Sequence, residues 1–168
     1  LASPATADVG AQAAVTSTSV RPEELTIAAL GVVAQIEPEG VTAAGALQLP
    51  SDPAQVSWWV GGASPGDPTG SVVIAGHVDS AVSGLGALAR LSDLAPGDLV
   101  GVQGEGGSVT YRVTGRRQYL KSQLPAASIF ANNVAARLVL ITCSGRFDRA
   151  TGHYEDNTVV YAVPVNHP

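Results

Sequence analysis

Methionine is absent, cysteine occurs once, and aromatic residues make up only 5% of the 168-residue chain. A lone thiol has no intrachain partner, so no disulfide can staple this fold, and Cys143 is either packing or a working group. With few large rings, a core must come from small and β-branched side chains, which favours sheet over helix bundle. Charge is scarce as well: 14% of residues, 9 basic against 14 acidic, for a net charge of −5. That balance excludes the basic face that nucleic acid requires and argues against a strongly anionic membrane surface. No stretch approaches the roughly 18 apolar residues of a membrane-spanning helix. The N-terminus has no charged segment leading into an apolar one, as a secretory signal would. The chain starts at Leu1 rather than methionine, and a membrane anchor is expected only on the N-terminal side, upstream of Leu1.

The first 20 residues are rich in Ala, Ser, Thr and Gly and show no hydrophobic period, the composition of a flexible leader or stalk. One globular domain is expected over residues 21–168. Within it, residues 25–30 and 32–36 read as short strands divided at Gly31, and 37–40 (EPEG) as a turn. Residues 45–50 form another short extended piece, and Ser51-Asp52-Pro53 opens a short helical turn. SVVIAG (71–76) is the strongest strand signal, with His77 just past its end. A short helical turn is expected over 83–89, a turn at Pro96-Gly97-Asp98 and a strand over 99–103. A hairpin turn over 104–107 leads into the alternating SVTYRVT (108–114). A short helix fits within 119–130. Residues 137–143 and 158–165 complete the set as strands joined by a polar loop. About seven or eight short strands separated by turn signals give a mainly β fold with short helical turns, a closed or nearly closed barrel.

The chemistry-bearing residues gather at strand exits. His77 follows SVVIAG in the run AGHVDS (75–80); Cys143 follows LVLIT in LVLITCSG (138–145), where Gly145 lets the chain turn away; Arg146 and Arg149 lie just beyond. A cysteine nucleophile acts as the thiolate and needs a base or a positive neighbour. Histidine can take a proton and return it to a leaving amine. A guanidinium can hold the oxyanion of a tetrahedral intermediate. Singly, each has a plain reading: an inert buried thiol, a structural imidazole, solvated loop arginines. What His77 and Cys143 share is placement at the exit of a β-branched run. Three scattered histidines and one cysteine lack metal-ligand spacing, and GGASPGDPTG (61–70) does not fit a strand–helix phosphate loop, so no metal and no cofactor is expected.

AGHVDS and LITCSG together resemble the histidine and cysteine motifs of the sortases, cell-wall cysteine transpeptidases of Gram-positive bacteria. The order is right, with His77 preceding Cys143 by 66 residues. LARLSDLAPGDLVGV (88–102) resembles the family's Pro-Gly-Asp segment before a strand, and QVSWWVG (55–61) its aromatic stretch ahead of the histidine. FDRATGHYEDNTVVYAV (147–163) looks like the corresponding region of the class F sortases of actinobacteria, and the Ala/Gly/Val-rich composition fits a GC-rich source of that kind. The resemblance covers roughly residues 21–165.

It implies an eight-stranded barrel and a thiol that attacks a Leu-Pro-x-Thr-Gly-like sorting signal of a surface protein. The thioacyl enzyme is then resolved by an amine, such as a peptidoglycan-precursor side chain or a pilin lysine. Such an enzyme works at the outer face of the cell membrane, anchored at its N-terminus. On this resemblance Cys143 is the nucleophile, His77 its proton partner, and Thr142 lines the substrate groove. The family's arginine at the start of the last strand has no counterpart: alignment on Thr151-Gly152 puts Asn157 there, beside Glu155 and Asp156. The cationic role then falls to Arg149, or to Arg146. Asp79 closes a turn in preference to orienting the imidazole; His153 is a surface or loop-packing residue, and His167 belongs to a tail. Two other functions stand beside the transpeptidase. One is a cysteine hydrolase with no competent amine acceptor; the other is a secreted β-barrel binding module whose cysteine is only packing.

Overall fold

A computed structural model describes residues 18–165, so most of the leader expected over residues 1–20, and the His167 tail, lie outside the described residues. Ten strands are present: β1 (Arg21–Ile27), β2 (Val32–Glu39), β3 (Val56–Trp59), β4 (Ser71–Gly76), β5 (Asp79–Ser80), β6 (Gly84–Leu85), β7 (Leu99–Glu105), β8 (Gly107–Leu120), β9 (Arg137–Asp148) and β10 (His153–Pro164). Eight of them close a barrel in the order β1-β2-β3-β4-β9-β10-β8-β7, while β5 and β6 form a separate two-stranded arm. A four-residue helix, α1 (Ala126–Ile129), and three single 3₁₀ turns complete the described elements. The mainly β, eight-stranded closed barrel expected from the sequence is the fold of the protein. Val20 is buried and its N–H reaches the Pro65 carbonyl at 2.7 Å, so the chain already packs on the barrel just before β1.

Strands at the centre of the sheet are apolar on both faces because each face has its own core. Along β4 and β9, Val72, Ile74, Leu138 and Leu140 point into the barrel and join the cluster that includes Leu25, Val100 and Tyr111. Their neighbours Val73, Ala75, Val139 and Ile141 point outward, beneath Leu47, Leu49, Ile129 and Phe130. A strand buried on both faces loses its alternation and reads as the continuous run seen in SVVIAG and LVLIT. In contrast, β8 has only one covered side at Tyr111 and Val113, and it alternates.

Several local expectations are altered for identifiable reasons. Residues 37–39 are strand, not turn: β2 leaves β1 after Gln35 and pairs β3 in parallel from Ile36. Pro38 therefore needs no donor on its open side. Within 83–89, Gly84 and Leu85 pair back onto Ser80 and Asp79 instead of turning, and Gly86–Ala89 closes a turn, with the Ala89 N–H on the Gly86 carbonyl at 3.1 Å. The 51–53 segment does open a single turn: the Gln55 N–H bonds the Asp52 carbonyl at 3.1 Å, and the Asp52 carboxylate accepts the Ala54 N–H at 2.9 Å. Most consequential, Cys143 is not at a strand tip. Strand β9 runs on to Asp148, absorbing Gly145 (φ 76°) where the β9–β10 register shifts between Tyr154 and Asp156. A left-handed glycine at such a shift bends a strand without ending it.

Candidate active site

Strands β4 and β9 are parallel neighbours whose register runs from Ser71 opposite Arg137 to Ala75 opposite Ile141. The offset is 66 positions throughout, and the Thr142 hydroxyl extends it one step by donating to the Gly76 carbonyl at 2.8 Å. That same offset separates His77 from Cys143. Continued one further step, the offset sets the backbones of His77 and Cys143 at neighbouring positions, since adjacent strands lie about 4.8 Å apart. Both residues are half-buried and both line a hollow of about 430 Å³. Thr142 itself is almost wholly buried, so its hydroxyl works as a clamp between the two strand exits.

The imidazole is held from the far side: His77 Nε2 lies 2.9 Å from the Pro50 carbonyl oxygen. A carbonyl only accepts, so Nε2 carries a proton, which leaves Nδ1 as the ring atom that can exchange a proton with a substrate or thiol. The backbone of His77 is held too, because Gly86 lies so close that a Cβ there would stand 2.1 Å from the His77 oxygen.

Cys143 faces outward, in a row with Asn157 of β10 and Tyr119 of β8, which the register sets directly opposite one another. It lies at the junction of two hollows of unlike character. The first is the more polar of the two and holds His77, Asp79, Lys121, His153 and Tyr154 beside Val78 and Phe147. The second, about 360 Å³, is an apolar groove walled by Leu47, Leu49, Ala75, Leu124, Phe130 and Ile141, with Asn157 near the thiol. Phe130 is braced edge-on by Trp59 at a centroid distance of 4.9 Å.

Arg146 and Arg149 are not brought to either hollow. Both are exposed and line a different depression with Asp148 and Glu155 on the β9–β10 hairpin. The turn beyond them is built by Asp148, whose carboxyl is held below its ordinary range chiefly by the Ala150 N–H and then by the Thr151 hydroxyl. His153, read from sequence as a surface or loop residue, lies at the start of β10 on the rim of the thiol's polar hollow.

Asp79 neither closes a turn nor orients the imidazole. It accepts a 2.5 Å hydrogen bond from the Tyr154 hydroxyl and so ties the β5–β6 arm to the β9–β10 hairpin across the mouth of the polar hollow. The bond to Asp79, with a smaller contribution from desolvation, raises the Tyr154 phenol above its ordinary value of 10.0. A donor raised in this way keeps its proton below that value, and the tie is lost only as pH climbs past it. In Tyr154→Phe the arm is expected to loosen. Hydrogen–deuterium exchange of the Gly86 amide, which bonds Val78 O at 2.9 Å, should speed up several-fold. An unchanged exchange rate would mean that the tie does not hold the arm.

Three contributors were missed in the sequence: Lys121, the groove wall at Leu47 and Leu49, and the Tyr154–Asp79 tie. Lys121 had a visible signal, being the only lysine of the chain. The others depend on long-range packing that no local pattern announces.

A closed barrel with a histidine just past β4 and a half-buried thiol within β9, both lining one hollow beside an apolar groove, has the arrangement of a cysteine-dependent acyl-transfer enzyme. The sortase-domain family profile matches residues 25–165, and the chain belongs to the sortase family of cysteine transpeptidases. Among solved structures, a lid mutant of sortase A from Corynebacterium diphtheriae superposes with a TM-score of 0.66 at 19% identity, covering 88% of this chain and 71% of that one. Sortase E1 from Streptomyces coelicolor, with a tripeptide in its active site, gives 0.65 at 17% identity, covering 89% and 90%. Sortase C-1 from Actinomyces oris gives 0.65 at 18% identity, covering 86% and 73%. At these identities the likeness is one of fold. A comparison with curated protein sequences finds no match.

Proposed function

We propose that the protein cleaves a Leu-Pro-x-Thr-Gly-like sorting signal and transfers the acyl product to an amine on the cell wall. The observation that carries the reading is the shared offset of β4 and β9, with His77 and Cys143 lining one hollow and Cys143 also lining the apolar groove. An extended peptide with a leading leucine and proline suits such a groove, because apolar side chains gain from leaving water there. Cys143 attacks the carbonyl before the scissile bond, and the thiol proton passes to His77. His77 then protonates the departing amine, leaving a thioacyl enzyme. An incoming amine, such as a peptidoglycan-precursor side chain, enters through the polar hollow and breaks the thioester.

The resemblance of residues 147–163 to the class F region supports a class F-like member, and membership of the sortase family supports action at the cell surface from an N-terminal anchor. A packing-only cysteine fits poorly with a half-buried thiol between two hollows.

The test is product analysis. Incubated with a Leu-Pro-x-Thr-Gly peptide, the enzyme should show a mass increase at Cys143 equal to the acyl fragment. With an added glycyl amine, the acyl fragment should leave Cys143 as an amide of that amine. A free acid in the presence of saturating amine would identify a hydrolase instead. An intact peptide with no adduct would reject the reading.

A further inference from the structure

We propose that the ε-ammonium of Lys121 is the cation that faces Cys143, balancing the thiolate and then the oxyanion of acyl transfer. The inference rests on the acyl-transfer reading above and assigns the positive group that reading requires. The two hollows that meet at the thiol have two residues in common, Cys143 and Lys121. Lys121 opens the 3₁₀ turn Lys121–Gln123 directly after β8, two positions beyond Tyr119, which stands opposite Asn157, itself opposite Cys143. The end of β8 thus delivers it to the same outer face as the thiol.

No arginine lines either hollow, since Arg146 and Arg149 belong to a separate one. Asn157, opposite the thiol, carries no charge. Among the described residues the only carboxylate lining either hollow is Asp79, and its Oδ2 accepts the Tyr154 hydroxyl. A chain with nine basic residues thus places its single lysine at its single cysteine.

The chemistry suits an ammonium on a flexible stem. It is a compact charge with three donors that can follow negative charge as it moves. As the C–S bond forms, the carbonyl π pair moves to oxygen, and the charge once on sulfur becomes an alkoxide that the ammonium can hold. Collapse restores the carbonyl and breaks the C–N bond, and the amine leaves with the proton carried by His77. Lys121 keeps its own protons throughout.

Two independent measurements test this on the full chain. Lys121→Gln should lower the single-turnover acylation rate of the sorting peptide about 100-fold with KM little changed. Lys121→Arg should recover most of that rate, and Arg146→Gln and Arg149→Gln should stay within about threefold of the parent. Separately, the modification rate of Cys143 is compared for methanethiosulfonates bearing a sulfonate or a trimethylammonium tail. Loss of a nearby ammonium should lower the sulfonate-to-ammonium rate ratio by about fivefold or more. If the ratio shifts while no peptide is cleaved by the parent, Lys121 faces the thiol and the substrate reading fails on its own. A ratio unchanged in Lys121→Gln overturns the proposal, as does a parental acylation rate in that variant. Lys121 is exposed, so the variants should fold as the parent does, which circular dichroism checks.

Discussion

Cleavage and transfer of a sorting-signal peptide are expected to stop in Cys143→Ala, with kcat/KM lower by about 10⁴-fold or more. The chain has no second thiol to substitute, so residual activity cannot be rescued by a neighbour. The loss should be purely chemical. Cys143 is half-buried at the end of the outer core, and alanine fits the same backbone. A melting temperature within about 3 °C of the parent is the expected companion result. Peptide should still bind in the groove, because its apolar wall is intact, and fluorescence anisotropy with a labelled sorting peptide reads this directly. A variant that still cleaves would place the nucleophile elsewhere and sink the assignment.

The second large effect comes from a residue with no chemistry of its own. In Gly86→Ala the new methyl would stand 2.1 Å from the His77 carbonyl oxygen, 2.7 Å from its carbon and 3.1 Å from its Cβ. The first two atoms are backbone, so no rotamer change relieves the clash. The Gly86 N–H is bonded to Val78 O and the Ala87 N–H to Pro53 O, which pins the glycine from both sides. The histidine must therefore yield, and its bond to Pro50 O resists a simple rotation. A displacement on the order of 1 Å at a proton-transfer group costs about 100-fold in kcat. The overpacking should cost about 1–3 kcal/mol of stability, measurable by urea unfolding. Modification of Cys143 by a neutral thiol reagent should change far less than turnover does. Full activity in this variant would show that the His77 backbone position does not matter to the reaction.

Much of the barrel could be read from single segments, because strands with two buried faces are written as unbroken apolar runs. SVVIAG ended where β4 ends, and His77 stood one residue beyond. Signals that need a partner strand were misread. Gly145 and Pro38 look like stops locally, yet each sits where a neighbour's register shift or departure leaves room for it. The site followed the same division. His77 and Cys143 stand out in the sequence because each follows an apolar run, whereas the cation that the resemblance implies is close to the thiol only along the chain. Arg146 and Arg149 lie on the β9–β10 hairpin and line a separate depression, while Lys121, the cation proposed above, lines the thiol's hollow from the end of β8. Sequence proximity is a poor guide in a barrel whose site is assembled from four separate strands.

The Thr142–Gly76 clamp also has a bearing on how the protein folds. It joins residues 66 positions apart, with the β5–β6 arm, both long strands of the β7–β8 hairpin and α1 lying between them. Parallel pairing across so long a connection carries a large loop-closure cost and is slow to form. A nascent or partly folded chain therefore holds thiol and imidazole apart, and on the proposed roles nucleophilic power arrives only with closure of the barrel. Regained turnover during refolding is consequently a readout of late, long-range order, one that should lag behind the β7–β8 hairpin and other local structure.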